Sequence, residues 1–156
     1  MARAKEFLHG MGIKVVSWSQ CLGDFVINRP AKDSWLWDRV QGWIESVKNL
    51  SGVARKHPQS AYAGLQKSLQ REWAFVQRFT PYIRDAFGPV EHALQEALIP
   101  ALFKVLGEVT PWRGDTDLPV KQAGLALPDP TKTAPESWTA SCVITGHLVA
   151  ALRGQE

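Results

Sequence analysis

Two stretches of this chain repeat apolar residues at the spacing of an α-helix, and prolines fence them off. Leu36, Val40, Trp43, Val47 and Leu50 advance in steps of four and three, with Trp37 and Ile44 widening the stripe. Tyr62, Leu65, Leu69, Trp73, Val76 and Phe79 do the same between Pro58 and Pro81. A stripe that returns every 3.6 residues is buried only against a neighbouring layer, so the chain must fold as packed helices. Asp33 or Ser34 is the expected N-cap of the first helix and Gly52 its end. Pro58 suits the first turn of the second, and Thr80-Pro81 stops it. A third helix is expected from Pro89, with Val90, Ala93, Leu94, Ala97 and Leu98 inward, broken or kinked at Pro100 and continuing over 101–106. The last is expected over residues 135–152, with Trp138, Cys142, Leu148 and Leu152 on its core side.

The ends of this helical block read differently. Residues 13–16 and 21–27 are rich in β-branched and aromatic side chains and are split by Ser-Trp-Ser-Gln, which predicts a β-hairpin. Two strands do not hold themselves up in water, so the hairpin needs a neighbour. Residues 107–117 read as a polar loop. Residues 118–127 form a short extended stretch whose internal Gly124 marks a place where another backbone approaches closely. The expected fold is mainly α: a short N-terminal β-hairpin over 1–29, then a bundle of four to five helices over 30–156, with one extended stretch near 118–127.

At 156 residues the chain is one domain's worth and buries enough surface to need no staple. Its two cysteines, Cys21 and Cys142, fit neither a disulfide framework nor a metal pair, which points to a reduced intracellular setting, cytoplasmic or nuclear. No apolar run approaches a membrane span, and the N-terminus lacks the apolar stretch of a signal peptide. Of the seven tryptophans, Trp73 and Trp138 fall on core faces. Trp35, Trp37 and Trp43 crowd one helix, so at least one is expected to be exposed.

Charge supplies the first direction toward function. The net charge is only +3, but residues 52–84 carry Arg55, Lys56, Lys67, Arg71, Arg78 and Arg84 against Glu72 alone. The rest of the chain is faintly acidic, and such asymmetry points to a polyanionic partner. At 100° per residue, Lys67, Arg71 and Arg78 fall within about 40° of one another, opposite the apolar stripe. Gln66, Gln70 and Gln77 flank them and are read as further phosphate contacts.

Catalytic constellations are thin. The four histidines, His9, His57, His92 and His147, are scattered, and none pairs at metal-ligand spacing. His92 with Glu96, four apart on a helix, reads as a surface pair. Asp115 and Asp117 bracket Thr116 without enough oxygen partners for a cation. Gly10-Met11-Gly12 lacks the rest of a glycine-rich loop.

Residues 118–127, Leu-Pro-Val-Lys-Gln-Ala-Gly-Leu-Ala-Leu, are followed by Asp129-Pro130 and by Ser137-Trp138-Thr139-Ala140-Ser141. Together they resemble the region C-terminal to the polymerase core in reverse transcriptase-like proteins of retrotransposons, which carry an LP-x-x-x-GGLGL stretch and then a helix with an A-x-x-A-S-like pattern. Upstream, Val15-Val16 through Cys21-Leu22-Gly23-Asp24-Phe25-Val26 is similar to the family's Y-L-G-x-x-I strand pair, the primer grip. His57 to Gln70 and Trp73 to Arg78 look like its thumb helices. The resemblance covers about residues 10–153.

It implies a primer-grip-like hairpin over 1–29, with Leu22, Gly23 and Phe25 at its centre, and a thumb-like helical domain over 30–156. The thumb would lay Arg55, Lys56, Lys67, Arg71 and Arg78 on the backbone of an RNA–DNA hybrid or duplex without reading bases. The family's Y/F-x-D-D turn is absent, since no Asp-Asp occurs anywhere. The palm, with the carboxylates that hold magnesium for phosphoryl transfer, is therefore expected to be missing, leaving no catalytic residue and no cofactor in this chain. Ala123 and Ala126 stand where the family has glycine, and Asp24 places a carboxylate where a primer would pass. The implied partners are nucleic acid or the absent palm, with no membrane and no small-molecule substrate. The alternative is a helical protein-interaction domain with no nucleic-acid role.

Overall fold

The computed structural model describes residues 11, 19–21, 24–26, 29–104, 113–122 and 124–154. Helix α1 spans Arg29–Ala54, its first residue four to five positions before the expected N-cap at Asp33 or Ser34. Pro30 sits in its first turn, where a missing N–H costs nothing. Asp33 and Ser34 are exposed side chains inside the helix, and Gly52 does not stop it: the helix runs on to Ala54. Helix α2 covers residues 58–79 as Pro58–Gly64, a wide π turn Leu65–Leu69, and Gln70–Phe79. A 3-10 turn, Arg84–Phe87, leads into α3 over residues 88–104, which also contains a π turn, Leu94–Leu98. Pro100, just beyond that turn, has no N–H to give back to Glu96, and a widened turn absorbs such a defect without ending the helix.

Within the expected polar loop lies a short helix α4, Arg113–Asp117. A 3-10 turn at Val120–Gln122 follows, and then α5, Pro130–Leu152. Helix α5 begins five residues before the expected start because Asp129 caps it: its Oδ1 accepts from Thr131 N at 2.8 Å and from Thr131 Oγ1 at 2.6 Å.

Mainly α is therefore the architecture. The hairpin differs from the expected one. Two three-residue strands, Ser19–Cys21 and Asp24–Val26, pair antiparallel with Ser19 opposite Val26, Gln20 opposite Phe25 and Cys21 opposite Asp24. The expected partner strand, 13–16, lies outside the described residues, and the observed ribbon closes on itself near the second expected strand.

Leu36, Val40, Trp43 and Val47 of α1, Leu65, Leu69, Trp73 and Val76 of α2, and Val90, Leu94 and Leu98 of α3 form one core with Phe87 at its centre. The Trp43 ring stacks on Phe87 at 5.5 Å and meets Trp73 edge-on at 6.3 Å. These aromatic pairs add roughly 0.5–1.5 kcal/mol each beyond their burial. Trp37 is exposed, as the crowding of tryptophans on α1 required.

Several apolar assignments fail, beginning with the place of Trp37 on the α1 stripe. Phe79 lies outside the core and pairs with exposed Phe75 at 4.7 Å. Cys142 is exposed, and Leu148 and Leu152 are 62% and 87% exposed, because α5 outruns the elements it packs on. Its buried residues are Pro130 and Ala134, both in the first two turns.

Candidate nucleic-acid interface

Helix α2 has three sides with different duties. Its apolar side, Leu65, Leu69, Trp73 and Val76, is buried in the core. A second side is a polar ladder directed at the segment before α5 and at the first turn of α5. Tyr62 Oη donates to the Leu125 carbonyl at 2.6 Å, and Gln66 Nε2 reaches both Tyr62 Oη at 2.5 Å and the same carbonyl at 3.1 Å. Gln70 Nε2 donates to Ala126 O at 3.4 Å. Gln77, only 1% exposed, donates to Pro130 O at 2.9 Å and accepts from Thr133 Oγ1 at 3.1 Å. Burial pushes the Tyr62 hydroxyl above its ordinary pKa.

The three glutamines are therefore not the phosphate contacts the sequence suggested. Carbonyls withdrawn from water in the segment before α5 and in its first turn need donors, and the glutamines supply them. Each is followed directly by a cation: Gln66-Lys67, Gln70-Arg71, Gln77-Arg78. One residue on is about 100° round an α-helix, so fixing the ladder fixes the orientation of a cationic stripe beside it.

Lys67, Arg71 and Arg78 form that stripe, and all three are exposed. From Lys67 to Arg78 it extends about 16 Å along the axis, matching some five phosphates of one duplex strand. Glu72, the acidic residue of the block, is held by Arg39 of α1 at 3.0 Å. Arg39 itself lies over the Trp35 ring at 5.6 Å. Among the described residues, no carboxylate forms an ion pair with Lys67, Arg71 or Arg78. Arg55 and Lys56 are exposed at the turn joining α1 to α2, where Lys56 borders an open cleft of about 440 Å³ with Tyr62, Phe103 and Leu125. Phe25 lies in the second short strand, while Leu22 and Gly23 fall outside the described residues.

The segment that receives the ladder is itself pinned by a network the sequence reading did not assemble. Arg113 grips Glu91 of α3 through two bonds, Nε to Oε1 at 2.5 Å and Nη2 to Oε2 at 2.8 Å. Its Nη1 also reaches the Leu127 carbonyl at 2.6 Å, Thr116 Oγ1 at 2.7 Å and Asp117. Burial works against the Arg113 charge, but the Glu91 bond and the charges of Glu91, Asp117 and Asp129 outweigh it and hold its pKa above the usual arginine range. Only the i,i+4 spacing of Arg113 and Asp117 signalled any of this in sequence.

Gly124 closes the arrangement. Its N–H donates to Pro119 O at 3.2 Å, and a Cβ there would stand 2.0 Å from the Leu118 carbonyl oxygen. The close backbone approach expected at this glycine is the fold's own turn meeting itself.

His92, Glu96 and Asp115 are exposed, and Asp117 is engaged by Arg113 and by Lys132 at 3.5 Å. Among the described residues, no three His, Cys, Asp or Glu side chains gather as a metal-binding group. No helix among the described residues is long and apolar enough to cross a membrane. Compared with protein families, curated proteins and solved structures, the chain matches none.

Proposed function

We infer that this is a thumb-like helical domain of a reverse transcriptase-like protein, resting template–primer backbone on the Lys67, Arg71 and Arg78 stripe. The observation that carries the reading is the electrostatic state of that stripe: three exposed cations on one helix, with Glu72 ion-paired to Arg39. The sequence resemblance over residues 118–141 and 57–78 points the same way, and the primer-grip role of Leu22, Gly23 and Phe25 belongs to the same proposal. Sequence-independent backbone contact needs nothing more than cations at phosphate spacing. The chemistry would belong to a palm with its own magnesium ligands.

The test is binding of an RNA–DNA hybrid over a salt series. Three to five phosphate contacts predict a slope of log affinity against log salt of about −3 to −5, and about one unit less for each cation changed to alanine. A hybrid affinity that ignores salt, or alanine variants with an unchanged slope, overturns the reading.

One observation favours the alternative, a protein-interaction domain. Beyond Ser141, α5 exposes Val143, Ile144, Leu148 and Leu152 and carries no Asp, Glu, Lys or Arg as far as Leu152. An exposed, uncharged helix end with four large apolar side chains is one that another surface covers. Binding through that end would be nearly salt-independent, so the same titration separates the two readings.

A further inference from the structure

At the end of α2 the chain turns through Thr80, Pro81, Tyr82 and Ile83. Thr80 and Ile83 are buried, while Tyr82 between them is 91% exposed. Its φ is +58°, in the left-handed region where a bulky side chain is a genuine outlier. Glycine would make this turn without strain, and the phenol ring returns nothing in packing, so the fold gives no reason for tyrosine here. The surroundings give a different reason. Lys32 of α1 donates from Nζ to the Pro81 carbonyl at 3.3 Å, which sets a cation beside the ring's own peptide. Arg78 ends the cationic stripe four residues earlier, and Arg84 follows two residues later, both exposed. Asp85 is the acidic residue of the turn. An outward aromatic ring with Lys32 bonded to the preceding carbonyl, and with Arg78, Arg84 and Asp85 within four positions in sequence, suits an anionic strand whose bases are free to stack.

We propose that Tyr82 is a stacking platform for an unpaired nucleobase flanking the duplex held by Lys67, Arg71 and Arg78. The inference rests on the nucleic-acid reading and adds to it a preference for a duplex–single-strand junction. Stacking is blind to base identity, so the preference is for structure, not sequence.

The experiment compares a blunt RNA–DNA hybrid with one bearing a short single-stranded overhang, by fluorescence anisotropy on the full chain. The wild-type protein should bind the overhang form about tenfold more tightly than the blunt one. Tyr82→Ala should abolish that gain while leaving blunt-hybrid affinity and its salt slope unchanged, and Tyr82→Phe should keep the gain. Tyr82→Gly, which removes the backbone strain, should fold at least as well as wild type and bind as Tyr82→Ala does. Equal affinity of the wild type for both hybrids, or a gain that survives Tyr82→Ala, overturns the stacking role alone. A wild-type protein that binds neither hybrid at low salt overturns the thumb reading, and this inference with it.

Discussion

Replacing Arg113 by methionine tests whether the segment before α5 is held by its ion pair. Glu91 has a side chain only 9% exposed, and its carboxylate takes two bonds from Arg113 and one from Gln95 at 2.7 Å. Methionine keeps much of the arginine's length but leaves the carboxylate buried with Gln95 as its remaining side-chain donor among the described residues, and leaves Leu127 O without its 2.6 Å bond. Breaking a buried pair by removing one partner costs about 3–5 kcal/mol. Arg113 retains 17% exposure, so water relieves part of the loss and the lower end, about 3 kcal/mol, applies. In guanidinium titration followed by circular dichroism that is a midpoint shift of roughly 0.5–1 M, and in thermal unfolding about 6–12 °C.

The partner change decides the mechanism. Glu91→Leu combined with Arg113→Met removes both charges of the buried pair, and the double variant should recover to within about 1 kcal/mol of wild type, because no bare carboxylate stays at position 91 and Asp117 keeps Lys132. A single-variant cost below about 1 kcal/mol, or a double variant whose cost is the sum of the two singles, would refute the argument.

Three further outcomes follow from the same geometry. Gly124→Ala should destabilise by about 1–3 kcal/mol in denaturant, since its Cβ would meet the Leu118 carbonyl at 2.0 Å and backbone has to move. Asp129 feels burial, which raises its pKa, but the Thr131 bonds and the charges of Lys132 and Arg113 win and hold it below its ordinary 3.8. Its contribution to stability is therefore complete above that ordinary value and fades as pH falls through the lower folded one. Asp129→Asn, measured by denaturation across the acid range, should lack that loss, and identical curves would contradict it. Leu148→Ser with Leu152→Ser should change stability by less than about 0.5 kcal/mol each, because both side chains are exposed, and a larger loss would mean that α5 packs further than its first turns.

The sequence made the bundle legible where polarity alternates. On α1 and α2, cations and amides oppose a narrow apolar stripe, so Leu36, Val40, Trp43 and Trp73 could only point inward, and Lys67, Arg71 and Arg78 outward. On α5 it was not legible. Residues 137–152 carry no Asp, Glu, Lys or Arg to mark a solvent side, and periodicity cannot say where the neighbouring elements end, so the core expected at Cys142, Leu148 and Leu152 stops short of them. Polar partners were hidden for another reason: Gln66, Gln70 and Gln77 bond carbonyls 53 to 59 positions away, and a glutamine's sequence position carries no address. Arg113 hid likewise, its carboxylate partner Glu91 lying 22 positions back. The cationic stripe was found by its own spacing, and what holds it in place was not.

The measurement closest to the central claim is the affinity of the folded, full chain for an RNA–DNA hybrid between 50 and 200 mM salt. Three to five phosphate contacts predict a fall of about 40- to 500-fold over that range. The triple variant Lys67→Ala, Arg71→Ala, Arg78→Ala should lose most of the salt dependence while keeping the fold, since all three side chains are exposed. A folded wild-type chain that binds no hybrid at 50 mM salt, or binds it equally at both ends of the range, would contradict the account.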